Sequence, residues 1–121
     1  MSPVDLFVDD AGAADHEALI FLGSLGSTHR MWKPQARAFC TDYRVLCPDT
    51  RGHGNSPVPS GPYSIGGLAA DVIALLDRLG VERAHVVGLS LGGMIAMEMA
   101  ATYPERLRSL AVLSTSALLG P

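Results

Sequence analysis

Four short apolar runs, each bounded by turn-forming residues and separated by segments of helical length, constrain this chain more than any other feature. They are residues 18–22, stopped by Gly23; 43–47, ended by Pro48; 84–87, running into Gly88; and 107–113. Residues 18–22 and 43–47 read as buried strands and 84–87 and 107–113 as further strands, the pattern of a parallel sheet covered by helices. Residues 4–8 read as a short edge strand. The intervening segments supply the helices. Residues 28–39 are expected to be helical, with Pro34 in a first turn or at a kink. Leu68, Val72, Leu75, Leu76 and Leu79 fall on one helical face, with Asp71, Asp77 and Arg78 elsewhere. Ser64 can cap the start of that helix and Gly80 its end. Residues 91–102 form a further helix. The alternation predicts an α/β fold with a mainly parallel sheet, flanked by helices and joined by right-handed crossovers.

The 121 residues suit one small domain at most. A hydrophobic content of 48% can build a core, and 17% charged residues with a net charge of −3 leave no basic footprint for nucleic acid or a membrane surface. The first residues show neither a basic segment nor an apolar run, so no signal peptide is visible and a cytoplasmic protein is expected. Cys40 and Cys47 match no metal-ligand or CxxC spacing and read as buried thiols.

The segment Gly88-Leu89-Ser90-Leu91-Gly92 follows a strand and opens a helix. A G-x-S-x-G pattern in that context is expected to be a nucleophile elbow: the serine sits on a strained turn, and its neighbours two positions away must be small. Gly88 and Gly92 meet that need, and Gly93 lets the helix pack closely. The alternative is a glycine-rich turn that packs or binds phosphate. No dinucleotide fingerprint is present, and the single lysine, Lys33, is not preceded by the glycine of a P-loop. Acyl transfer also needs an oxyanion hole. The Leu91 backbone N–H is one expected donor, and the Leu25 N–H, in the small-residue loop 23–28, is the other. His29 and Trp32, which follow this loop, and Met94, just after Ser90, are candidates to line a substrate pocket; ordinary packing is the alternative. Asp49 and Arg51 could brace their loop as an ion pair, and His53 reads as a structural loop histidine.

Leu22-Gly23-Ser24-Leu25-Gly26-Ser27-Thr28, Met31-Trp32, Asp49-Thr50-Arg51-Gly52-His53-Gly54-Asn55-Ser56, Tyr63-Ser64-Ile65 and the elbow through Met94 together resemble the α/β-hydrolases. Within these they are most similar to the 3-oxoadipate enol-lactonases, to which the Gly-Ser-Leu-Gly loop points. The resemblance covers nearly the whole chain. It implies a small-molecule ester or lactone as substrate, hydrolysis in bacterial aromatic catabolism through a Ser90 acyl-enzyme, and no cofactor.

The superfamily order is serine, acid, histidine. Here His16, His29, His53 and His85 all precede Ser90, and the later acids Glu98 and Glu105 read as a solvated helix position and a surface turn. The catalytic acid and histidine are thus absent from these residues. The expectation is that residues 1–121 are the N-terminal portion of a single hydrolase domain, inactive alone, with later strands and a lid supplied by further sequence. A general esterase or a cofactor-free perhydrolase shares the same elbow. A non-catalytic remnant or ligand-binding module is the alternative of another class.

Overall fold

The computed structural model describes residues 2–114. Five strands form one sheet in the order β1-β3-β2-β4-β5: β1 (Val8–Ala11), β2 (Ala18–Leu22), β3 (Arg44–Pro48), β4 (Ala84–Leu89) and β5 (Leu107–Leu113). β1 is antiparallel to β3; the other pairs are parallel. The predicted α/β architecture is therefore the observed one. All five side chains of β2, the middle strand, are buried, as its unbroken apolar run requires.

Helices α2 (Ile65–Arg78) and α3 (Leu91–Thr102) cover one face. Their core residues, among them Val72, Leu75, Leu76, Ile95 and Met99, pack with Ile20, Leu46 and Val86 of the sheet. The other face holds Leu19, Phe21, Val45 and Cys47 beneath the short helix α1 (Lys33–Phe39) and the preceding 3-10 turn His29–Trp32. The single helix expected over 28–39 is thus two pieces. Pro34 lies in the first turn of α1, where its missing N–H has no intrahelical role.

α2 begins and ends as predicted. Ser64 Oγ accepts the Gly67 N–H at 3.0 Å. At the far end Gly80 takes φ +70°, while the Val81 N–H reaches the Leu76 carbonyl (2.8 Å) and the Gly80 N–H that of Asp77 (3.1 Å). These two bonds make a Schellman closure, which needs a residue in the left-handed region.

Three expectations are corrected. The edge strand lies at Val8–Ala11 and not at 4–8. Residues 2–7 instead cross α2: Leu6 is buried, and its carbonyl accepts from Arg78 at 2.7 Å. Asp71 is not on a solvated face, because that crossing covers it. It is 1% exposed and forms a two-pronged pair with Arg51 at 2.8 Å on both oxygens. Asp49 and Arg51 consequently do not pair with each other. Arg51 also donates to the Ser2 carbonyl, and the Val4 N–H donates to Asp71.

Candidate active site

Ser90 stands between β4 and α3 with φ 57° and ψ −115°, a conformation rarely tolerated by a side-chain-bearing residue. The surroundings hold it there. The Ser90 N–H donates to the Leu113 carbonyl of β5 (3.0 Å), and the Ser90 carbonyl accepts from Gly93 (2.9 Å) and Met94 (3.2 Å). A Cβ on Gly88 would collide with the Gly92 carbonyl group and approach the Gly93 Cα, and one on Gly92 would collide with the Leu22 carbonyl group. Both positions therefore require glycine if the turn is to keep its shape, which is the spacing rule inferred from the sequence.

The sheet brings the 23–28 loop to this turn. β2 and β4 are parallel neighbours, with Leu22 opposite Gly88, so their C-terminal ends emerge side by side. The Gly92 N–H then donates to the Gly23 carbonyl at 3.0 Å, tying the first turn of α3 to the loop. Within the loop, Ser24 to Ser27 close a turn through Ser27 N–H to Ser24 C=O (3.1 Å), reinforced by the Ser27 hydroxyl (2.6 Å). Gly26 occupies its third position at φ +80°, where a type II turn takes glycine. Leu25, the second residue, has its side chain in solvent. The Leu91 N–H is at the first position of α3, where no carbonyl four residues earlier is in the helix.

The Asp49–Ser56 loop lies against the 23–28 loop and organises it. Asp49 is 1% exposed. One carboxylate oxygen accepts the His29 N–H (2.6 Å) and faces His29 Nδ1 (2.9 Å); the other accepts the Asn55 N–H (2.8 Å). Burial alone would raise the Asp49 pKa, but the hydrogen bonds from Asn55 and His29 outweigh it and hold the carboxyl below its ordinary value. Ser56 Oγ donates to the Asp49 carbonyl and accepts the Phe7 N–H, fixing the loop to the strand entry. His53 Nε2 lies 2.8 Å from the Gly26 nitrogen and Nδ1 lies 3.1 Å from the Arg51 carbonyl.

The pocket candidates divide. His29 lines a small cleft of about 170 Å³ with Thr28, Arg30, Asp49, Gly54 and Asn55, its ring 4.9 Å from that of Phe7. Trp32 is buried against Phe21, centroids 4.8 Å apart; its Nε1 has no partner among the described residues, and it lies just beneath Gly23. Met94 is half-buried on the first turn of α3. Of the remaining histidines, His85 bridges Ser109 (2.7 Å) and Glu17 (2.9 Å), and His16 precedes β2 at the opposite end of the sheet. Among the described residues no cluster of His, Cys, Asp or Glu could hold a metal, and no helix is long and apolar enough to cross a membrane. Sequence reasoning does not disclose the organising role of Asp49, since its partner His29 is 20 residues upstream and no local spacing links them.

A strained serine at a strand-to-helix turn, set beside the loop after the neighbouring parallel strand, defines the class: the chain belongs to the α/β-hydrolase fold family, whose model matches residues 17–121. It is 47% identical over 109 residues to 3-oxoadipate enol-lactonase 2 of Acinetobacter baylyi, covering 90% of this chain and 41% of that protein. Among solved structures it is similar to the enol-lactonase from Burkholderia xenovorans, with 38% identity, a TM-score of 0.91, and coverage of 95% of this chain and 45% of that one. A thermophilic esterase from Thermogutta terrifontis is 31% identical at a TM-score of 0.91, covering 96% and 42%. The chain spans about two fifths of the length of the curated relatives it matches.

Proposed function

We propose that the protein carrying this chain is a serine hydrolase of carboxylic esters or lactones, with 3-oxoadipate enol-lactone as its substrate. The observation that carries this reading is the left-handed backbone of Ser90 at the β4–α3 turn, tied through Gly92 to the 23–28 loop. In this reading Ser90 Oγ attacks the lactone carbonyl. The oxyanion of the tetrahedral intermediate is received by the backbone N–H groups of Leu91 and Leu25, helped by the positive end of the α3 dipole. Ring opening leaves an acyl-enzyme, and water releases it. His29, Trp32 and Met94 are the chain's candidates to line the substrate pocket.

His29 is turned onto Asp49, His53 is engaged at both ring nitrogens, and His85 and His16 lie towards the other end of the sheet. The reading therefore assigns the general base and its carboxylate to sequence that follows this chain, in the order the family uses. Identity to the enol-lactonases favours the lactone, and similarity to the esterase supports a broader ester specificity as second reading.

The test uses the full-length protein with a fluorophosphonate probe, 3-oxoadipate enol-lactone and p-nitrophenyl acetate. Labelling lost on Ser90→Ala, together with turnover of the lactone, is the expected result. Labelling without lactone turnover moves the assignment to the esterase. A folded protein that takes no label refutes the serine-hydrolase reading and leaves a ligand-binding role.

A further inference from the structure

We infer that His53 is a positioning residue for the oxyanion hole: through its Nε2 lone pair it holds the turn that carries the Leu25 N–H. The inference rests on the serine-hydrolase reading given above.

Two main-chain partners fix the state of the imidazole. The Arg51 carbonyl, 3.1 Å from Nδ1, can only accept, so Nδ1 carries the proton. The Gly26 N–H, 2.8 Å from Nε2, can only donate, so Nε2 carries the lone pair. The ring is thus a neutral Nδ1–H tautomer, and only that form makes both bonds.

The base of the turn is anchored by the Gly92–Gly23 bond, but its tip has little else to define it. Leu25 is 75% exposed, and a Cβ on Gly26 would meet nothing within 4 Å. Packing therefore does not set the orientation of the tip. Its internal bonds shape it but do not aim it. The Gly26–His53 bond joins it to the Asp49–Ser56 loop, and that loop is cross-linked by its own hydrogen bonds. The His53 N–H donates to Thr50 (2.8 Å), and the His53 carbonyl accepts from Ser56 (3.0 Å). Arg51, whose carbonyl receives Nδ1–H, is clamped by the buried carboxylate of Asp71. A continuous line runs from α2 through Asp71, Arg51 and His53 to Gly26, the residue after Leu25. A second prong, Asp49 on His29, fixes the other end of the loop. An oxyanion donor acts only if it is aimed before charge develops, and this line supplies the aim.

The experiment compares His53→Gln, His53→Asn and His53→Ala in the full-length protein, using p-nitrophenyl acetate turnover and NMR hydrogen exchange of the Gly26 amide. Gln places an acceptor oxygen near the Nε2 position, whereas Asn reaches only as far as Nδ1. His53→Asn and His53→Ala are expected to lower kcat by about tenfold or more, within the hundred- to thousandfold loss of a whole donor, with KM changed less than about twofold. His53→Gln is expected to recover most of kcat. Gly26 exchange should be slow in the wild type and the Gln variant and fast in the Asn variant. The inference is overturned if the Asn variant keeps wild-type kcat, if Gln is impaired as much as Asn, or if Gly26 exchanges alike in all. Should the Ala variant not fold, the Gln–Asn pair decides. Phosphonate labelling of wild-type Ser90 is scored separately: an unlabelled wild type removes the parent reading, and the exchange data still judge the His53–Gly26 bond.

Discussion

The strain at Ser90 can be measured by replacing the residue twice. Its φ of 57° and ψ of −115° lie where a Cβ is penalised, at about 1–3 kcal/mol for a residue held in such a region. Ser90→Gly removes the Cβ and the hydroxyl, whereas Ser90→Ala removes only the hydroxyl. Any contact of the hydroxyl is lost equally in both, so the difference between the variants isolates the backbone. Glycine gains freedom in the unfolded chain, which opposes the relief by about 0.5–1 kcal/mol. Taken at the middle of both ranges, the glycine variant should therefore be the more stable by about 1.2 kcal/mol. With a urea slope of about 2 kcal/mol/M, its unfolding midpoint should lie about 0.6 M above that of the alanine variant. Urea titration followed by circular dichroism, with both slopes compared, reads this directly. A glycine midpoint equal to or below the alanine midpoint would refute the claim that the turn stores strain.

Three further outcomes are expected. Asp71→Ala leaves the Arg51 guanidinium buried with one carbonyl partner and should destabilise the protein by about 3–5 kcal/mol in urea; replacing both residues, as Arg51→Met with Asp71→Leu, should cost much less. The ionised Asp49 carboxylate is favoured by the fold, so its contribution is complete above its unfolded pKa and lost as pH falls through the lower folded value. Stability measured down an acid series should therefore fall less steeply in Asp49→Asn, and an unchanged slope would count against the hub. Burial pushes the Cys47 thiol up to about 12, so iodoacetamide at neutral pH should modify Cys40 and spare Cys47 until unfolding, as mass spectrometry of the peptides would show.

The parts legible in sequence are those whose causes are local. α3 and β5 fall on 91–102 and 107–113 because a glycine pair, a Tyr-Pro break and an apolar run mark them within a few residues. Ser90 is legible for the same reason, since steric exclusion at positions two before and two after writes itself as glycine. Misplacement begins where a residue's partner is remote. Val4 and Leu6 look like strand residues, yet they serve to cover α2, while Asp10, a poor strand former, joins the edge by pairing with Arg44 at 2.8 Å. Helical periodicity sorts charge outward and so sends Asp71 to water, and nothing near it announces an arginine 20 residues upstream on a loop. The hold of His53 on Gly26 spans 27 residues and leaves no periodic trace.

The serine turn and the loop beside it meet because β2 and β4 are neighbours in space, although the 3-10 turn, α1, β3 and α2 all lie between them in the chain. Pairing the two strands therefore carries the loop-closure entropy of a long-range contact, the kind that forms slowly. The chemistry-bearing arrangement therefore depends on that long-range strand pairing and on no single local segment. In the serine-hydrolase reading, competence for acyl transfer is therefore lost together with the sheet, because separating β2 from β4 parts the serine turn from the loop that faces it.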